Sequence, residues 1–255
     1  MSLAICSTKE QVSEQEWALR EDLAAAFRLA ALFGWDDLIY THMSLRLPGE
    51  HNHLLINPFG LLFEEITASN LVKINLAGDK VMDSPYEINK AGLVIHSAIH
   101  EARPDIQCVI HLHTDYGVAV SIQEQGLQRL SQFSGIPHAL MAYHDYEGIA
   151  VRDEEKERLV ENLGHNLAMI LRNHGTLTLG DTVGKAFELM YLMERACKTQ
   201  ILAQAGGNKL IQVNDCAQAN IIQGILEVQA APVKTVSSWD ALRRKLDRLA
   251  PDYKN

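Results

Sequence analysis

Several features are missing from this 255-residue chain. No apolar run approaches the roughly 18 residues that a membrane-spanning helix requires. The N-terminus has no basic stretch leading into an apolar one, so no secretory signal is expected. Cysteine is scarce: Cys6, Cys108, Cys197 and Cys216 lie far apart and form no Cys-x-x-Cys pair, the usage of a reduced, cytoplasmic protein. Positive charge is in deficit. The net charge of −9 argues against nucleic acid or an anionic membrane as partner. There is no internal repeat and no low-complexity segment. What remains is ordinary for a soluble globular protein: 47% hydrophobic and 22% charged residues, with a length that suits one sizeable domain or one domain with a C-terminal extension.

Histidine is well represented, with eleven residues. Two of them fall inside an otherwise apolar run, Cys108-Val109-Ile110-His111-Leu112-His113-Thr114. Alternate side chains of a strand share a face, so His111 and His113 project into one space. The pair is either a chelate for zinc or a similar divalent ion or two hydrogen-bonded core histidines. His174 is the best third ligand. It ends the buried-type strand Leu167–Leu171 and precedes Gly175, where the backbone can turn sharply. Three histidines leave a fourth tetrahedral position open, as catalytic metal sites do. His96 and His100 share a helix face but lack the Glu of the metalloprotease motif, and they read as a partly buried face. His51 and His53 read as a surface turn and its strand, and His165 as solvated or capping.

Residues 1–12 are polar, with no element expected. Ser13 to Glu16 has the form of a capping box, opening a helix that Gly34 stops. Strands follow at Tyr40–Leu47, His53–Asn57 and Val72–Leu76, and Gly78-Asp79 turns into a further strand at Lys80–Met82. A helix over Asn89–Ala102 ends before Arg103-Pro104. Then come a strand at 107–113, a helix capped by Thr114 and reaching Gln125, a strand at His138–Tyr143 and a loop at Tyr143–Gly148. A charged helix at Asp153–Leu163, strands at Leu167–Leu171 and Thr176–Leu179, and a long helix from Asp181 or Thr182 to about Ala205 complete the body. Helices near 214–228 and 238–249 form the tail. The pattern predicts an α/β or α+β layered domain with a partly antiparallel central sheet.

Five strings carry a more specific signal: Asn57–Gly60, His96–Asp105, Val109–His113, Ala142–Tyr146 and Leu171–Gly175. With them the chain resembles the class II aldolase/adducin-head family from about residue 17 to 205, and adducin heads and their bacterial relatives more than the sugar-phosphate aldolases. The resemblance implies a three-layer α/β/α fold with a largely antiparallel sheet. The corresponding division is an N-terminal extension at 1–16, the family domain at 17–207 and a C-terminal helical extension at 208–255. It also implies a divalent metal, zinc first and manganese or another ion possible in its place, on His111, His113 and His174. The family further implies a homo-oligomer, with a tetramer favoured.

The chain departs from the sugar-phosphate aldolases where they hold phosphate and move a proton. Their Ser-Ser-Glu is replaced by Lys90-Ala91-Gly92, and their phosphate-binding Gly-Asn and Thr-Gly by Thr41-His42 and Phe59-Gly60. A glycine cannot transfer a proton. The expected function is therefore a metal-dependent lyase, cleaving an aldol or removing CO₂, on a small non-phosphorylated carbonyl or hydroxy-carboxylate substrate. Tyr143, where aldolase relatives also carry tyrosine, and His144 are the expected catalytic residues, with Glu147 and His42 nearby. The alternative is a non-catalytic adducin-head-like binding or assembly module.

Overall fold

The computed structural model describes residues 7–49, 52–148, 153–230 and 237–255. In chain order the helices are α1 (Thr8–Gln11), α2 (Glu14–Leu32), α3 (Lys90–Ala102), α4 (Asp115–Ser121), α5 (Gly135–Ala139), α6 (Asp153–Leu163), α7 (Val183–Gln204), α8 (Asp215–Ala230) and α9 (Ser238–Leu249). The strands are β1 (His42–Arg46), β2 (Leu54–Ile56), β3 (Val72–Ile74), β4 (Cys108–Leu112), β5 (Met141–His144), β6 (Ala168–Leu171) and β7 (Gly175–Gly180). They form one sheet in the order β3-β2-β1-β4-β7-β6-β5. Every neighbouring pair is antiparallel except β5 with β6. The fold is the three-layer α/β/α arrangement with a largely antiparallel sheet.

Strand periodicity sorts the side chains between two layers. On one face Met43, Leu45, Cys108, Ile110 and Leu112 pack with α2, α7 and α9. On the other, Val109, Met169, Leu177 and Leu179 pack beneath α3 and α6. Each fully buried aliphatic chain of this kind contributes on the order of 2 kcal/mol. β4 lies at the middle of the sheet, between β1 and β7, with all five residues buried. That is why its sequence is a nearly continuous apolar run. A histidine on β4 is consequently held from both sides by hydrogen-bonded strands.

The helix starts follow the caps. The side chains of Ser13, Thr114 and Thr182 accept the backbone N–H groups of Glu16, Gly117 and Lys185. Most strands are shorter than the residue pattern predicts, whereas β7 runs one residue further at each end. Lys80–Met82 supplies only an isolated bridge between Ile74 and Lys80. The strand expected at His138 starts at Met141, because α5 occupies the preceding residues. The polar segment before Ser13 contains α1, and α4 stops at Ser121 rather than near Gln125. His51 lies outside the described residues. Among the described residues no helix is long and apolar enough to cross a membrane, and Cys108, Cys197 and Cys216 are free thiols.

Candidate metal centre

His111 comes from β4, His113 from just beyond its end, and His174 from the turn joining β6 to β7. One nitrogen from each lies within 4.8 Å of the others, and the three ring centroids are 4.8 Å apart pairwise. The turn is shaped for this convergence. Asn173 adopts φ +56°, and the His174 N–H donates to the Leu171 carbonyl. A Cβ on Gly175 would lie 2.5 Å from the Leu112 carbonyl oxygen and 3.0 Å from His113 Cδ2. Only glycine lets β7 pass this close to the two β4-end histidines.

The outer hydrogen bonds fix the tautomers. His111 Nδ1 lies 3.0 Å from the Thr176 carbonyl, which can only accept, so the proton is on Nδ1. His113 Nδ1 donates to Asp37 Oδ2 at 2.9 Å. The two Nε2 atoms then face each other at 3.1 Å. With both rings uncharged, two lone pairs meet there, an arrangement that calls for a cation between them. Burial, reinforced by His174 and the other neighbouring imidazoles, holds His111 well below the usual histidine range, and burial followed by His113 lowers His174 to about 4. Neutral imidazoles with their outer N–H groups anchored to a carbonyl and a carboxylate match the ligand chemistry of zinc and similar divalent ions. The residues present therefore fit such an ion.

The trio lies in a cleft of about 320 Å³, walled by Tyr40, Thr41, His42, Asn89, Gly92, Ile95 and Tyr146. Among the described residues no lysine or arginine lines it. Lys90, two residues before Gly92 in sequence, is not one of the lining residues. The Tyr146 ring is 6.2 Å from that of His174 and half exposed.

Behind the cleft, Ser44 Oγ bridges His96 Nδ1 at 2.6 Å and His100 Nε2 at 2.8 Å. Both histidines are fully buried, not partly so as their helix-face spacing predicts. The reason is the register. His42 and Ser44 pair with His111 and Val109, so the polar face of β1 turns inward beneath α3.

The expected catalytic pair lies outside this cleft, Tyr143 on the other sheet face and His144 in a small adjoining cavity that shares Ile95, Tyr146, Gly148 and His174 with it. Tyr143 pairs in register with Ile170, and Ile170 with Thr176, so its ring belongs to the sheet face opposite the three histidines. Its Oη accepts the Leu127 N–H at 3.1 Å, and Arg172 stacks over the ring. His144 shares the histidine face, yet it is buried under α6, where Asn162 Nδ2 donates to its Nδ1 at 2.9 Å. Neither residue lines the cleft. Glu147 is engaged by Arg158. Tyr146, which lines the cleft as Tyr40 also does, lies only three residues after Tyr143 in the same string.

The sequence patterns missed Asp37 and the Thr176 carbonyl as anchors and the facing of His42 to Gly92. Asp37 precedes the first strand and belongs to no motif. Its only available signal is an acidic residue close before a strand that pairs with the His-x-His strand.

The sequence pattern of the Class II Aldolase and Adducin N-terminal domain family matches residues 21–201, and the chain belongs to this family. A Pseudomonas aeruginosa protein named for the class 2 aldolases is 49% identical over 250 residues, covering 96% of this chain and 95% of that one. Alpha-adducin of Rattus norvegicus is 48% identical over 201 residues, covering 75% of this chain and 27% of the adducin. A solved structure of an aldolase II superfamily protein from Pseudomonas syringae superposes with a TM-score of 0.91 at 50% identity, covering 98% of this chain and all of that one.

Proposed function

We propose that the chain is a divalent-metal-dependent carbon–carbon lyase, acting by aldol cleavage or decarboxylation on a small non-phosphorylated carbonyl or hydroxy-carboxylate. The observation that carries this reading is the convergence of His111, His113 and His174 in a cleft where, among the described residues, no lysine or arginine lines the wall. Zinc is the ion that best suits three imidazoles, although manganese or another divalent ion has the same donors available. When bound, the ion supplies Lewis acidity to a substrate oxygen as charge develops on it during bond cleavage. The chain's own part is to hold three ring nitrogens on one point, with Thr176 and Asp37 fixing two of the rings. Tyr146 stands at the mouth, where its hydroxyl can meet substrate. A doubly charged phosphate would find no lysine or arginine among the described residues of this cleft to neutralise it.

From the family resemblance we also propose a cytoplasmic homo-oligomer, a tetramer first, to be read by light scattering on the purified protein. A second reading, a non-catalytic binding or assembly module, is favoured by the likeness to alpha-adducin and by Gly92.

One experiment separates the two. Bound metal is quantified after loading with zinc or manganese, and hydroxy acids and aldehydes are screened for metal-dependent cleavage. Stoichiometric metal with turnover that His174→Ala abolishes supports the lyase. Stoichiometric metal with no cleavage across the panel favours the binding module, and no retained metal overturns the site.

A further inference from the structure

Three polar atoms on one wall of the cleft have nothing to bond to. Among the described residues Thr41 Oγ1, His42 Nδ1 and His42 Nε2 are buried without a hydrogen-bond partner. Thr41 is 1% exposed and His42 5%, so bulk water does not serve these atoms. Native chains rarely leave buried polar groups in this state unless a ligand or ordered water completes them.

The backbone here is also held in an unfavourable shape. Thr41 adopts φ +67°, a left-handed conformation that a β-branched residue rarely takes. Antiparallel pairing of His42 with His111 then fixes the imidazole on the same sheet face as the trio. The room for it comes from α3. A Cβ on Gly92 would lie 2.3 Å from His42 Nδ1 and 2.5 Å from Cε1. The ring therefore occupies the space where any larger residue at position 92 would begin its side chain.

We infer that Thr41 and His42 form a hydrogen-bonding subsite for an uncharged substrate oxygen, a hydroxyl or a carbonyl, and that position 92 is glycine in order to seat the His42 ring. The inference rests on the cleft being the substrate site proposed above. The chemistry of the wall selects the ligand. A neutral imidazole presents one N–H and one lone pair, and the threonine hydroxyl can donate or accept. That set matches a hydroxyl, which also donates and accepts, and it offers no full positive charge to a phosphate or second carboxylate. The metal trio and this wall lie in one cleft, so a small molecule can present a carboxylate or carbonyl to the ion and a hydroxyl to His42.

The test uses glycerate and propionate, two carboxylates of equal chain length that differ in their hydroxyls. Each is titrated calorimetrically into the zinc-loaded protein. In parallel, the ring nitrogens of ¹⁵N-histidine-labelled protein are followed by NMR, with and without zinc. The wild type should bind glycerate at least tenfold more tightly than propionate, and the His42 ring signals should move with glycerate only. His42→Ala and Thr41→Val should bring the ratio towards one while propionate affinity and zinc content stay unchanged. Gly92→Ala, which displaces the ring without removing it, should do the same. An undiminished glycerate preference in His42→Ala, or His42 signals that ignore glycerate in the wild type, overturns the inference. The wild-type signals decide the matter even where a variant fails to fold. Failure of the metal reading registers separately, as absence of bound zinc.

Discussion

His111 and His113 turn their Nε2 atoms toward each other at 3.1 Å while each commits its Nδ1 proton to a fixed acceptor, Thr176 O in one case and Asp37 in the other. Two residues apart in sequence, they could have served as an ordinary hydrogen-bonded pair. The outward commitment of both protons leaves two lone pairs facing the same point.

Removing Asp37 should therefore weaken the metal without touching a ligand. Asp37→Ala should lower zinc affinity by about 10–100-fold, the usual cost of losing such an outer anchor. His113→Ala should lower it further. Competition with a chelator of known affinity measures both, and unchanged affinity in His113→Ala would show that the ligand set is wrong.

Gly175→Ala should disturb fold and site together. The added methyl meets the Leu112 carbonyl at 2.5 Å and the His113 ring at 3.0 Å, so either β7 or the ring must move. Overpacking of this kind costs about 1–3 kcal/mol. Denaturant unfolding should show that loss, together with weaker metal retention. A variant as stable as the wild type would mean that the turn has slack which its geometry does not suggest.

Glu194 should make stability depend on pH. Its carboxylate is buried on α7 and accepts Thr114 Oγ1 at 2.5 Å. Burial raises it to about 7 from an ordinary 4.5. The hydrogen bond from Thr114, the charge of Lys198 and the Gly117 N–H oppose that rise, and Asp115 adds to it. Between those two pH values the folded chain holds a proton that the unfolded chain has released. Stability from this group is thus fully present below about pH 4.5 and is lost as pH rises through 7, by up to about 3 kcal/mol. Glu194→Gln should flatten the unfolding free energy across that window, and an unaltered slope would count against the assignment.

Tyr143→Phe should act on stability. It leaves the Leu127 N–H without its acceptor at a part-buried position, a loss of about 1–3 kcal/mol. Metal content should not change, because the ring lies on the other side of the sheet from the three histidines. Thermal unfolding and metal analysis together test this, and loss of metal would contradict it.

The parts of the site legible in the sequence were those written in short-range periodicity. His-x-His shows itself by the two-residue repeat of a strand, and His174 by the glycine after it. The caps at Ser13, Thr114 and Thr182 were equally local. What stayed hidden depended on how distant segments meet. Asp37 reaches His113 across 76 positions. His42 finds its space at Gly92 only once β1 lies beneath α3. Which face of β5 meets the cleft is decided by pairing with β6, so Tyr143 and Tyr146 could not be told apart by composition. Leu246 and Leu249 fall at helical spacing on α9, yet Leu246 is 2% exposed and Leu249 59% exposed, a distinction that only docking creates.

That docking has a consequence for how the protein is made. Trp239, Leu246 and Tyr253 lie in the same cluster as α2 and the middle of the sheet. Ala68 and Ser69 donate their N–H groups to the carbonyls of Tyr253 and Asn255, and Arg28 pairs with Asp252. A ribosome releases chain from the N-terminus at roughly 5–20 residues per second. Until residues 238–255 have cleared the exit tunnel, one side of α2 and α7 stays bare. The central strands and the three histidines are thus made before the segment that covers this side of α2 and α7.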